Sequence, residues 1–159
     1  MTVKIRPAAP EDKPGLVSIL YDTPEFKAHE IEIAVEVMDS CLESVESGYF
    51  ILVAEDDEIA GYVCYGPTPL TDGTWDVYWA AVARKRREQG IGRALIEEAE
   101  REIKKAGGRM ALIETSSTPA YERTLHFHLS NGYREVARVP DFYSPGDDKL
   151  VLQKIFHTI

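Results

Sequence analysis

Apolar residues recur at helical spacing in four stretches of the chain, and alternate or run together in seven others. The clearest helix carries Ile91, Leu95, Ala99 and Ile103, a recurrence that keeps one face apolar. Glu97/Arg101 and Glu100/Lys104 are expected as i, i+4 ion pairs on its outer side, and Gly107 and Gly108 stop it. Ile31, Ala34, Val35, Met38, Leu42 and Val45 predict a helix over residues 26–45, and Leu16, Val17, Ile19 and Leu20 a shorter one over 11–20 behind Pro10. A fourth is predicted over 119–131. Strands are predicted at 2–8, 49–54, 59–65, 74–82, 109–117, 133–139 and 149–156. The second and third form a hairpin around an acidic turn. The order β, α, α, β, β, β, α, β, α, β, β indicates an α/β domain with a mixed sheet.

Composition narrows the class. No repeat, low-complexity tract or linker divides the 159 residues, and 44% hydrophobic content suffices for one core, so a single domain over 1–159 is expected. The net charge of −9 argues against nucleic acid as a partner and suits a cationic small substrate. No apolar run approaches the roughly 20 residues that span a bilayer, and the opening MTVKIRPAAPED lacks a signal-peptide core. A cytoplasmic location without membrane attachment is expected. Cys41 and Cys64 lie in apolar stretches without metal-ligand spacing, and read as packed thiols. His126 and His128, two apart on a helix, point to different faces, so no metal is expected.

The chemistry concentrates in REQGIGRAL, residues 87–95. Two glycines stand behind a run of cations and directly ahead of the amphipathic helix. Glycine suits tight turns and close main-chain approach, and a helix N-terminus offers unpaired N–H groups and a positive dipole end to an anion such as phosphate. A tight strand-to-helix connection with a solvated basic face would produce the same local pattern. No Gly-Lys-Ser/Thr follows, and no G-x-G-x-x-G opens a βαβ unit, so neither nucleotide fingerprint is present.

In context, VARKRREQGIGRAL resembles the acyl-CoA-binding motif of the GNAT superfamily of N-acetyltransferases, R/Q-x-x-G-x-G/A, with Arg87, Gly90 and Gly92 in the motif positions. FHLSNGYREVAR resembles that family's closing helix and strand, with Gly132 and Tyr133 at the junction. ETSS, DFYSPGDDK and GTWDVYW are similar to a branch that acetylates small amines. The resemblance implies a single-domain α/β fold: a mixed, mostly antiparallel sheet of about seven strands with four helices, its fourth and fifth strands splayed around CoA. It also implies acetyl-CoA as cosubstrate. The pyrophosphate would lie on the backbone of Arg87, Glu88, Gln89, Gly90, Ile91, Gly92 and Arg93, and the pantetheine arm would pair near Ala81 and Val82. The thioester would sit near Glu114 and the helix 119–131.

Departures from the family pattern carry their own expectations. Glu88 stands where many members have glycine, and Arg84 where they have proline. His128 takes the place of a tyrosine that protonates the departing thiolate, and Tyr121 that of a CoA-contacting asparagine. An imidazole can supply a proton; alternatively Tyr121, Tyr143 or water does so while His128 packs. For the base that takes the amine proton, Glu114 is preferred, directly or through water, with Asp76 and Tyr78 as alternatives. Glu114 also reads as a solvated strand-end carboxylate. Trp75, Tyr78 and Trp79 are expected as one aromatic cluster of core or pocket wall. No base adjoins Cys64 to activate it. Acceptor selection is expected from Phe26 and Glu30 and from a loop over Asp141–Asp148 that includes Tyr143. The function expected is acetyl transfer from acetyl-CoA to a primary amine of a small molecule or amino acid, by direct attack in a ternary complex. Transfer to a protein N-terminus or lysine, and a non-catalytic acyl-CoA-binding sensor, are the alternatives. A homodimer is compatible with any of these.

Overall fold

The structure, a computed structural model, describes residues 3–156. The first strand, β1 (Lys4–Pro7), is followed by a 3-10 turn at Pro10–Asp12, then α1 (Lys13–Tyr21) and α2 (Ala28–Glu43). The hairpin β2 (Phe50–Glu55) and β3 (Ile59–Pro67) comes next, with β4 (Thr74–Val82) beside it. A 3-10 turn at Arg84–Arg86 leads to α3 (Ile91–Lys105), β5 (Met110–Ser116), α4 (Glu122–Ser130), β6 (Arg134–Ser144) and β7 (Asp147–Ile155). The strands form one seven-stranded sheet in the order β1-β2-β3-β4-β5-β7-β6. Every pair is antiparallel except β4 with β5, whose parallel pairing needs a crossover, and α3 provides it.

Two cores sandwich the sheet. On one face α1 and α2 bury Leu16, Leu20 and Met38 against Val53, Tyr62 and Cys64. On the other, α3 seats Ile91, Leu95, Ala99 and Ile103 against Leu52, Val63, Val77 and Ile113. Each fully buried Leu or Ile contributes about 1.5–3 kcal/mol relative to exposure, so this stripe anchors the start of α3 against the sheet. Strand β3, covered by helices on both sides, is buried from Ala60 to Gly66 and accordingly reads as an almost unbroken apolar run.

The structure corrects several expectations. Glu100 does not face solvent beside Lys104: it is 4% exposed and accepts hydrogen bonds from Tyr133 Oη (3.0 Å) and Lys154 Nζ (2.8 Å). Its partners are 33 and 54 residues away in sequence, beyond the reach of an i, i+4 rule. Arg101 pairs with Glu98 and Glu97 with Arg93. The aromatic cluster is divided between faces, because strand residues alternate and a bulge intervenes: Trp75 packs with Phe50 and Tyr65, whereas Tyr78 and Trp79 lie on the α1/α2 side. The segment expected as a loop over 141–148 is mostly hairpin, since β6 runs to Ser144 and β7 begins at Asp147. Helix 119–131 begins as a 3-10 turn at Pro119–Tyr121. Both cysteines are free thiols. The expected first strand began at Thr2, which lies outside the described residues.

Candidate active site

The sheet opens where the parallel pair ends. Strands β4 and β5 are paired only from Thr74↔Met110 to Val77↔Ile113. Beyond that point β4 stays with β3 as far as Val82↔Gly61, and β5 stays with β7 as far as Ser116↔Lys149. The cause is a bulge. Cys64 pairs with Trp79 and Tyr65 with Val77, so Tyr78 is an extra residue in β4, and such an insertion bends its strand. Ala81 and Val82 therefore have a strand partner on the β3 side and none on the β5 side.

The motif loop sits at the mouth of this opening. The first backbone bond into α3 runs from Ala94 N–H to the Gly90 carbonyl. Among the described residues, no amide from Glu88 to Arg93 donates a hydrogen bond to main chain or side chain. Six donors beside a helix N-terminus are thus left without a protein acceptor, the donor set of an anion site. Gly90, the N-cap, has φ +81°, and nothing lies within 4 Å of where a Cβ would stand. Gly92 serves another purpose: its Cβ would meet the Phe127 ring at 3.2 Å, so it lets α4 pack closely on α3. Glu88 has φ +64°, a left-handed conformation that glycine adopts at no steric cost. An L-residue in this region is strained by roughly 1–2 kcal/mol.

The cations of the motif are paired with carboxylates. Arg87 Nη2 donates to Glu25 Oε2 at 3.1 Å and Nη1 to Oε1 at 3.4 Å. Burial alone would raise the Glu25 carboxyl; the Arg87 hydrogen bond and charge outweigh it and hold the group below its ordinary range. Arg93 pairs with Glu97, and Arg123 at the head of α4 with Glu88. The α1–α2 connection is thereby strapped across the opening. Asp22 Oδ2 accepts the Arg84 amide at 2.7 Å, Glu25 holds Arg87, and Tyr121 Oη lies 2.9 Å from Glu30 Oε2 and 3.1 Å from the Glu25 carbonyl. Burial, then the bond to Glu30, pushes the Tyr121 phenol well up. Phe26, in the same connection, packs against the α1/α2 core.

Other expected side chains fall into two groups. Glu114, Tyr143 and Glu30 share one end of the opening: burial and the charges of Glu114, Asp147 and Glu30 all raise the Tyr143 phenol. Glu114 itself is half exposed and 2.8 Å from Lys149 Nζ, a partner one strand away that no sequence spacing reveals. Asp76 accepts from Thr68 Oγ1 at 2.7 Å. Burial, then the charge of Asp76, raises Tyr78 to about 12, which leaves it a neutral phenol. His128 stands apart from these. It is 5% exposed, its ring lies edge-on to Phe127 and Tyr133, and its buried Nδ1 has no hydrogen-bond partner. Burial lowers its pKa to about 4. At neutral pH it is therefore the uncharged imidazole and holds no imidazolium proton to give.

Sequence reasoning missed Glu25, Arg123, Lys149 and the buried pair Ser116–Asp147. The last two lie within ETSS and DFYSPGDDK, so that signal was present, but the pairing across 31 residues was not. A cavity of about 310 Å³ lies between the end of β5 and α4, lined by residues that include Ser116, Thr118, Glu122, Leu125 and His126. It does not include the motif loop. No group of three or more His, Cys, Asp or Glu suited to a metal ion occurs among the described residues.

This geometry agrees with relatives found by sequence and by structure. The model of the acetyltransferase (GNAT) family matches residues 15–133. A GNAT-family protein from Desulfovibrio desulfuricans is 38% identical, with a TM-score of 0.91 over 97% of this chain and 99% of that one. PaiA N-acetyltransferase from Thermoplasma acidophilum, solved with coenzyme A, shares the fold at 17% identity (TM-score 0.77, 98% of this chain and 100% of that one). An aminoglycoside 6′-N-acetyltransferase, also solved with coenzyme A, does so at 20% identity (TM-score 0.77, 98% of each chain). No curated protein sequence matches significantly. With a family match across most of its length, and the open strand pair and donor-rich loop in place, the chain belongs to the GNAT family of acetyltransferases.

Proposed function

We propose that this chain transfers an acetyl group from acetyl-CoA to a primary amine of a small molecule or amino acid, by direct attack in a ternary complex. One observation carries the reading: six unpartnered amides, from Glu88 to Arg93, stand at the mouth of the parted β4 and β5. They fit a pyrophosphate, and the β4 edge at Ala81 and Val82 fits an extended pantetheine arm. Acetyl-CoA supplies the activated acyl thioester. The protein's part is to hold the donor, orient the amine and manage two protons.

An ammonium has no lone pair, so a base must first take its proton. Glu114 is the carboxylate on the β5 lip of the opening, and Lys149 orients it. It takes the amine proton directly or through water. The leaving sulfur needs a donor. Enclosure of His128 between Phe127 and Tyr133 favours Tyr121, which reaches across the opening from the head of α4. Glu30 and Tyr143 flank the acceptor, and Phe26, packed against the α1/α2 core beside them, backs that wall. The two free thiols fit a reducing, cytoplasmic setting, and no described helix is long and apolar enough to cross a membrane.

A second reading, an acyl-CoA-binding module without turnover, draws support from the uncharged His128. Release of free thiol from acetyl-CoA, measured against a panel of small amines, amino acids and lysine peptides, separates the two. Turnover on a small amine supports the enzyme. Tight CoA binding with no turnover on any acceptor supports the module, and turnover on peptides alone moves the acceptor to protein.

A further inference from the structure

The opening contains a buried carboxylate that acetyl transfer does not use. Asp147, the first residue of β7, is 8% exposed and pairs with Ser144 across the β6–β7 turn. Its Oδ1 accepts a 2.5 Å hydrogen bond from Ser116 Oγ. That hydroxyl is itself fixed, since it accepts the Thr118 amide at 3.1 Å and lies 2.8 Å from Thr118 Oγ1. Oδ2 accepts no hydrogen bond, and no lysine, arginine or histidine pairs with Asp147 among the described residues. The nearby cations are already engaged: Lys149 with Glu114, Arg138 with Asp148, Arg87 with Glu25. Oδ2 is not among the buried atoms that lack a partner, so it remains open to solvent, and a carboxylate held in place by one oxygen with the other free offers that oxygen to a cation arriving from outside.

Position says which cation. Ser116 lies two residues past Glu114 on the same face of β5, about 6.6 Å along the strand. The charge of Asp147 reaches the phenols of both Tyr121 and Tyr143. Two carboxylates, Glu114 on β5 and Asp147 on β7 held at Ser116, thus stand near this end of the sheet, and only one of them is needed by the reacting nitrogen.

We infer that Asp147, fixed by Ser116, docks a second positive charge on the acceptor, so that the substrate class is a diamine or other polycationic amine rather than a simple monoamine. The inference rests on the acetyl-transfer reading. The nitrogen near Glu114 loses its proton and is acetylated. The other stays protonated against Asp147 and sets the distance between them.

The test compares 1,4-diaminobutane with n-butylamine, which have the same carbon spacer, on the wild type and on Asp147→Asn. Asparagine keeps an oxygen for Ser116 and removes the charge. A charge-assisted hydrogen bond implies a kcat/KM about 10- to 100-fold higher for the diamine. This preference should collapse in the variant, mainly through KM, with the Kd for acetyl-CoA unchanged. A preference that survives in the variant, or a wild type that does not discriminate, overturns the inference. If Asp147→Asn does not fold, the wild-type ratio decides alone. Calorimetry of the diamine on the CoA-loaded protein separates the two levels. Diamine binding that depends on Asp147, without turnover of any amine, supports the docking anion and removes acetyl transfer. Turnover of both amines with equal efficiency retains acetyl transfer and removes the docking anion.

Discussion

The buried imidazole of His128 makes folding stability depend on pH in a window that can be calculated. Burial lowers its pKa from 6.5 to about 4, so as pH falls the unfolded chain takes up the proton first. The contribution is fully present above about pH 6.5 and is lost progressively toward pH 4. With these two pKa values, protonation of the unfolded chain costs about 2 kcal/mol of stability between pH 7 and pH 5. His128→Phe removes the titration and retains a ring against Phe127 and Tyr133. Urea unfolding of both proteins at pH 7 and pH 5 gives the difference directly, and cancels the histidines and carboxylates that both share. The variant should lose about 2 kcal/mol less than the wild type over this interval. Equal losses would mean that the imidazole is solvated or protonated in the folded protein, and the objection to His128 as the thiolate's proton donor would fall with that result.

Three further outcomes follow from named contacts. Glu88→Gly should raise stability by about 1 kcal/mol by relieving its positive φ, read as a shift in the urea midpoint; a lower midpoint would show that the loop is not strained there. Glu25→Gln should tighten acetyl-CoA binding several-fold by releasing Arg87, and Arg87→Ala should weaken it, both by calorimetry; the reverse order would refute competition between Glu25 and the cofactor. Glu114→Gln should lower kcat/KM most at low pH, where free amine is scarce, and wild-type rates across the range would exclude it as the base.

How much of this was legible in the sequence depended on the distance over which each feature is encoded. Elements whose signal is local were found: the α3 stripe from Ile91 to Ile103, the β2–β3 hairpin, and the loop of Arg87, Gly90 and Gly92. The parting of β4 and β5 came only through family resemblance, because it depends on one bulged residue, Tyr78, that leaves no mark on the pattern. Pairings across the fold were invisible. Glu100 looked like a solvent-facing partner for Lys104 and is buried against Tyr133 and Lys154. Glu114 looked free, although the β5–β7 ladder brings Lys149 to it. Substituting histidine for the family's tyrosine at 128 suggested chemistry. What it could not reveal was the degree of burial, and burial decides the protonation state.

The central claim is that the main chain from Glu88 to Arg93 holds the acetyl-CoA pyrophosphate, and Gly90→Val tests it most directly. Valine at φ +81° must either strain or rearrange the turn, since a β-branched side chain is a clear outlier there. The variant's contacts elsewhere should survive, because the space beside Gly90 is open. Calorimetric titration with acetyl-CoA, on protein shown to be folded by its unfolding transition, should give a Kd at least about tenfold weaker than wild type, a loss of about 1.4 kcal/mol. A wild type that does not bind acetyl-CoA, or a folded variant that binds it equally well, would contradict the account.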